Sequence, residues 1–315
     1  MRSVDIPSQK AEKSRFRLLG LTIRKNKFFY LCLMIPCVST FIFSYIPMVG
    51  VLMAFQDFDI VKGFFHSEWI GFDNFKIFLT DKEFYHVFFY TVKVATISFL
   101  VNTPAPIIFA LLLNELRNGP FKRIVQSITY LPYFLSWVIV GAIMYRFFQP
   151  GGIITEMLMS LGLGKHNFLS DPKYFIFLVT FSSVWKGIGW GSIIYLSTIT
   201  SINPELYEAA YMDGAGRLRQ CRYVTIPFLM PTIVLLMIYN IGGLLTVNFD
   251  QIMNLQNDLI RGDTNVINTY IYYKGIQEGE HSLATAFGLF QNLLSFALLY
   301  ITNAIAKKVA EISLW

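Results

Sequence analysis

The constraint that most limits this chain is a succession of long apolar runs, each about twenty residues or more, separated by short polar stretches. A run of that length suits the hydrocarbon core of a bilayer, where every backbone polar group has to be satisfied inside its own segment. The expectation is an all-α polytopic membrane protein with six transmembrane helices. Composition agrees: of the 315 residues 54% are hydrophobic and only 15% charged, too little charge for a soluble domain of this length.

The spans read in order as residues 28–55, 84–113, 123–148, 173–200, 231–253 and 282–306. Pro36 and Pro47 interrupt the first and Leu131-Pro132 the third, which membrane helices tolerate. Ahead of them, residues 1–27 form a basic arm expected to be cytoplasmic, with eight Lys or Arg against two acids; residues 307–315 form a short tail. The apolar run behind the arm lacks a small-x-small cleavage site and reads as a retained span. Outer segments are expected at 56–83, after Pro150-Gly-Gly, and at 254–281.

The net charge of +6 is a matter of topology and implies no nucleic-acid partner. Sixteen of the 26 lysines and arginines fall in the N-terminal arm, residues 114–123, residues 201–227 and the C-terminal tail. With six spans these four segments share one face, and the positive bias makes it cytoplasmic, with both termini inside. The three cysteines make no disulfide framework, and the four histidines, at 66, 86, 166 and 281, have no metal-ligand spacing. Leu161-Gly-Leu-Gly-Lys165 lacks the upstream glycine and the following Ser or Thr of a phosphate-binding loop. No Ser-His-Asp arrangement is defensible, so the chain reads as non-enzymatic, without a metal or cofactor of its own.

Between the fourth and fifth spans lies Ser201 to Pro227, SINPELYEAAYMDGAGRLRQCRYVTIP. Asn203 suits an N-cap and Pro204 the first helical position, so a short helix is expected through Asp213, stopped at Gly214 and Gly216. Leu206, Ala210 and Tyr211 share a face with Tyr207 beside them, an arrangement suited to a groove on another protein. A second, basic helix through Arg217, Arg219 and Arg222 leads to Pro227. Glu208-Ala209-Ala210, Gly214 after three further residues, and Val224-Thr225-Ile226-Pro227 after nine more resemble the EAA loop of binding-protein-dependent ABC importer permeases. The departures are Val224 for Ile and Ile226 for Leu, both apolar.

Gly71-Phe72-Asp73-Asn74-Phe75 and the terminal Ile312-Ser313-Leu314-Trp315 are similar to strings in the sugar-type members, including aldouronate and alginate-oligosaccharide permeases. The resemblance implies an ABC importer type I core spanning residues 28–306. It also implies docking on a cytoplasmic ATPase through Glu205, Leu206, Tyr207, Glu208, Ala209, Ala210, Tyr211, Asp213 and Gly214. The implied partners are a second permease, two ATPase subunits that bind ATP and Mg, and an extracytoplasmic solute-binding protein. The implied cargo is an oligosaccharide and the location a bacterial cytoplasmic membrane. A non-sugar cargo such as glycerol phosphate, amino acid or peptide, a secondary transporter, and a membrane enzyme are the rival readings.

Polar residues inside spans face the bundle interior or a water-filled path, or else hold helices together. Asn240 and Gln251, eleven residues apart on the expected fifth helix, share a face, and Asn248 lies about 80° round from Asn240. Gln291 and Asn292 in span six and Trp185, Lys186 and Trp190 in span four complete the candidate path, since amides and aromatic rings suit a sugar. Lys186 sits where a lysine costs roughly 2.5–3.5 kcal/mol to insert. An acid on a partner subunit, a backbone carbonyl or an anionic substrate could each satisfy it. Gly187 and Gly191, four apart, suit close helix packing.

Overall fold

The computed structural model describes residues 25–162 and 167–314. The N-terminal arm to residue 24, the Gly-rich string at 161–165 for the most part, His166 and Trp315 therefore lie outside the described residues. The chain divides into two compact units, residues 1–52 and 53–315.

In the first unit the first span is helical from Lys27, passes through a wide π turn at Phe41–Tyr45, and continues as the tighter helix Ile46–Phe55. Pro36 sits inside the helix without ending it. The wide turn falls just ahead of Pro47, which brings no N–H and crowds the carbonyl four residues back. No residue of Lys27–Tyr45 is buried, and Phe28, Ile35 and Phe43 are among the exposed apolar side chains. Such a surface suits lipid.

The second unit opens with a two-stranded antiparallel ribbon, Gln56–Asp57 against Glu68–Trp69. Gly71, at φ +64, turns the chain into the helix Asp73–Thr80. Asn74 is buried and donates to the carbonyls of Ala54 (3.0 Å) and Gln56 (3.1 Å), so it fastens this segment to residues 54–56 at the start of the same unit. Phe75 and Phe78 enter an aromatic cluster with Phe84, Phe287 and Phe290. The Gly-Phe-x-Asn-Phe string is thus a structural fastening.

Among the described residues, five helical runs are long and apolar enough to cross a membrane: Lys27–Phe55, Lys82–Glu115, Trp137–Ser160, Arg217–Gly242 and His281–Lys308. The expected fourth span, Phe175–Thr200, has 26 residues, about 39 Å of helix, but is less apolar than these five. Its place in the fold explains why. It packs on both halves of the second span, on the helix Pro120–Tyr130 and on the fifth span, and ten of its residues are buried. A helix sheathed by protein needs less hydropathy than one facing lipid.

Three expected spans differ from the continuous helices foreseen. The second consists of Lys82–Asn102 and Pro104–Glu115, because Pro104 and Pro106 supply no N–H to the carbonyls four residues back. In the third, Pro120–Tyr130 tightens into a 3₁₀ turn at Leu131–Phe134; Leu135 is extended, and Ser136 caps a new helix, Trp137–Phe148. The fifth begins earlier, continuous from Arg217, and stops at Gly242 rather than Met253. Gly242-Gly243 propagates a helix poorly, and Asn248 caps a separate helix, Phe249–Leu255, by accepting from the Gln251 N–H (2.9 Å).

The last outer segment, expected as a loop, is largely helical and packed inward. It contains Arg261–Thr264, Ile267–Tyr272 and a π turn Tyr273–Gln277, with Ile260, Val266, Ile267 and Tyr270 buried. Its polar groups are satisfied within it and by span two: Thr264 Oγ1 donates to Ile260 O (2.7 Å), Gln256 Nε2 donates to Thr264 Oγ1 (2.9 Å), and the Ile267 N–H donates to Thr91 Oγ1 of span two (2.9 Å). Polarity here marks internal hydrogen bonding, which a hydropathy pattern reads as solvent exposure.

Candidate functional site: docking loop and central cavities

The segment 201–227 folds as its residues suggest. Asn203 Oδ1 accepts from the Glu205 N–H (3.1 Å) and opens the helix Pro204–Met212. Gly214 closes it at φ +77. The Gly214 N–H donates to Tyr211 O and the Ala215 N–H to Ala210 O, both 2.9 Å, which satisfies two end carbonyls. Span five holds this helix at its back, and the segment after it is tied to span two. Tyr207 Oη shares a hydrogen bond with the buried Thr225 Oγ1 (3.0 Å) at the base of span five, and Arg217 pairs with Glu115 (3.0 Å) at the end of span two. Tyr207 therefore anchors the helix rather than joining the outward face. That face carries Leu206, Tyr211 and Met212, with Leu218 beyond the turn, all exposed. Met212 and Leu218 escaped the sequence reading, although their apolar side chains in a polar loop were the available signal.

Above this loop, two cavities open around span four. The first, about 400 Å³, lies between span two, span four and the interrupted span five. Its polar lining is Ser98, Asn102, Thr103, Ser183, Asn240 and Asn248, joined by Thr246 and Gln251, with no charged residue. The second, about 520 Å³, lies at the break in span three and holds Tyr133, Trp137, Lys186 and Asp250. Ser183, Gly187 and Asn248 line both.

Residues 102–310 match the family model described as binding-protein-dependent transport system inner membrane component. The chain belongs to this family. This permease is 40% identical to protein LplB of Bacillus subtilis (strain 168), over 91% of this chain and 90% of that protein. It is 37% identical to the polygalacturonan/rhamnogalacturonan transport system permease protein YteP of the same organism, over 98% and 96%. Among solved structures it resembles a chain of a bacterial alginate ABC transporter in complex with an alginate pentasaccharide-bound periplasmic protein. That match has a TM-score of 0.85 and 33% identity, and covers 94% of this chain and 99% of that one.

The path candidates divide between cavity and scaffold. Asn240, Asn248 and Gln251 reach the first cavity, but not along one helical face, because the chain unwinds between Gly242 and Asn248. Gln251 is a fastening as much as a lining residue. Its Nε2 donates to Val179 O (2.7 Å), Ser182 Oγ (2.9 Å) and Ser183 Oγ (2.8 Å), leaving 3% of the side chain exposed. Gln291, also buried, donates to Leu245 O (2.8 Å) and Asn268 Oδ1 (3.1 Å) and so steadies the unwound part of span five. Asn292 is exposed on the other side of span six and Trp185 packs into the apolar core; neither lines either of these two cavities. Trp190 stacks on Tyr133 with ring centroids 4.6 Å apart and planes 7° from parallel.

Lys186 finds backbone carbonyls. Its ammonium donates to Tyr133 O (2.6 Å) and Leu135 O (2.6 Å), for which the broken third span provides no helical partner, and more distantly to Pro132 O (3.4 Å), which also accepts the Leu135 N–H (3.2 Å). Asp250 lines the same cavity but forms no ion pair with it. The glycines of span four also sort differently from the Gly187–Gly191 pairing. A Cβ at Gly189 would meet Thr129 O at 2.2 Å and one at Gly191 would meet Pro106, whereas Gly187 has open space beside it and faces both cavities.

Proposed function

We propose that this permease is one of two membrane subunits of an ATP-driven importer that carries an acidic oligosaccharide inward, with both termini cytoplasmic. The observation that carries this reading is the pairing of an apolar docking helix with uncharged, amide- and hydroxyl-lined space around the same central span. The hydroxyl groups of a sugar exchange hydrogen bonds with such walls, so neither side buries an unsatisfied polar group. Tyr133 and Trp137 offer aromatic surface in the adjoining cavity. The names of the pectin-type permease and the alginate transporter support an acidic sugar. A periplasmic protein in the latter supports delivery by a solute-binding partner.

In this reading a second permease completes the path, and two cytoplasmic ATPase subunits bind ATP and Mg. The chain itself makes and breaks no covalent bond. Closure of the ATPases displaces the helix 204–212; its tie to Thr225 passes the movement to span five, and the Arg217–Glu115 pair at the foot of span five links that span to span two. Span four, which leads directly into the docking helix, moves with it and exposes the path outward. Hydrolysis resets it.

ATPase stimulation of the reconstituted complex by its binding protein tests the cargo. Uronate oligosaccharides are expected to stimulate, and neutral ones of equal length to do so weakly. Equal stimulation would make acidity irrelevant; none with any sugar would overturn the cargo class.

A further inference from the structure

A membrane helix that breaks leaves carbonyls that lipid cannot satisfy. In the third span those carbonyls include Tyr133 O and Leu135 O, and a single side chain on a neighbouring helix collects both, together with Pro132 O, which the Leu135 N–H already meets. An ammonium has three N–H donors and no acceptor, so this arrangement commits every donor that Lys186 has. The positive charge also lies at the C-terminal end of Pro120–Phe134, where the helix dipole favours it. The rings of Tyr133 and Trp137 flank it, with centroids 5.3 and 5.5 Å away.

Lys186 does not act alone. Gly189 and Trp190 follow at three and four residues, hence on the same face of span four. Gly189 lets the helix approach Thr129 O, and Trp190 stacks on Tyr133 and meets Phe134 edge-on at 5.6 Å. This face forms a seat for residues 129–135. The same helix runs unbroken to Thr200, about 21 Å beyond Lys186, and three residues later Asn203 caps the docking helix. Tyr133, Leu135, Ser136 and Trp137 are wall residues of the second cavity. One rigid element therefore joins the docking helix to a cavity wall, and Lys186 is its strongest polar grip on that wall.

We propose that Lys186 is a positioning residue that clamps the break of span three onto span four, so that the cavity wall moves with the docking helix, for acidic and neutral cargo alike. Its part in transport rests on the importer reading above; the clamp itself does not. The alternative role, direct pairing with a cargo carboxylate, requires the ammonium to release a carbonyl.

Hydrogen exchange in the intact complex in nanodiscs, without cargo, tests the clamp. Lys186→Met is expected to speed exchange of the amides of residues 133–137 at least tenfold while those of 176–185 are unchanged. Lys186→Arg, which keeps charge and donors, is expected to stay within about threefold of the original. Unchanged exchange in Lys186→Met would overturn the proposal. If that variant fails to assemble, Trp190→Leu decides: faster exchange over the same amides supports the seat, and none overturns it. Uptake into proteoliposomes then separates clamp from ligand. With trigalacturonate and a neutral trisaccharide, each supplied on a binding protein that carries it, Lys186→Met should lower kcat for both by a similar factor and leave KM for the loaded binding protein unchanged. A loss confined to the uronate would assign Lys186 to the cargo and overturn the proposal. Failure of the unaltered complex to move either sugar would break the cargo reading while the exchange result still decides the clamp.

Discussion

The docking loop and the central cavities are built on opposite principles. The loop is held by local interactions: its cap, its glycine stop and its end carbonyls are satisfied within a few residues. The cavities exist because helices break, and what each break exposes is satisfied from far along the chain. Lys186 reaches carbonyls 51 to 54 residues away, and Gln251 reaches a carbonyl 72 residues away. Local construction lets the loop act as a rigid tooth. Remote construction lets the cavity walls be set by how neighbouring helices sit, which is what a gated path requires.

The sharpest way to break this contrast is at Gly214. Its φ of +77 is a conformation that side chains rarely adopt, and there is open space around it, so a substitution acts through the backbone rather than through a clash. Gly214→Asp adds strain of about 1–2 kcal/mol at most and sets a negative charge at the C-terminal end of the docking helix, where the dipole opposes it. Uptake should be abolished while membrane insertion, followed by the amount of protein in purified membranes, stays intact. Surviving uptake would show that the helix tolerates a remodelled end and is not a rigid tooth.

Span four offers the complementary test. Gly189→Ala brings a methyl to within 2.2 Å of a backbone carbonyl that has no flexible end to yield, whereas Gly187→Ala points into open cavity. Overpacking of this kind costs roughly 1–3 kcal/mol. Thermal unfolding of the detergent-solubilised complex should fall for Gly189→Ala and hold for Gly187→Ala. Equal stability would mean that the seat under residues 129–135 is loose, and the remote half of the comparison would fail.

The same contrast explains what could be read in advance. Asn203, Pro204, Gly214 and the EAA spacing were legible because each acts on its immediate neighbours. The order of helices follows from apolar runs and their connections, whereas the centrality of residues 175–200 shows only in what they pack against. Breaks in spans two, three and five were harder. Their punctuation is visible in Pro104 and Pro106, Leu131-Pro132 and Gly242-Gly243, but apolar flanks on both sides favour continuity. Hydropathy measures transfer from water and says nothing about which carbonyl loses its partner. Lys186 was recognisable as a costly residue with three possible partners, and only the fold selects the carbonyls. Gln251 and Gln291 show the same limit, since an amide that lines a path and one that fastens a bend look alike until their acceptors are known.

The smallest effect is expected at the start of the docking helix. Asn203→Ala removes the side-chain acceptor for the Glu205 N–H, a loss of about 1 kcal/mol at an exposed N-cap. Pro204 remains to preset the first turn, and Tyr207 still anchors to Thr225, so the helix should weaken without dissolving. A cost of that size changes a local equilibrium about fivefold, and uptake should fall by no more than that factor. Asn203→Asp, which keeps the acceptor and adds a favourable charge at the N-terminus, should restore it. Uptake as low in Asn203→Ala as in Gly214→Asp would mean that local caps alone keep the docking helix formed and that its tie to span five and the Arg217–Glu115 pair beyond it contribute nothing. The loop would then lack the second line of support that the fold around Thr225 and Glu115 provides.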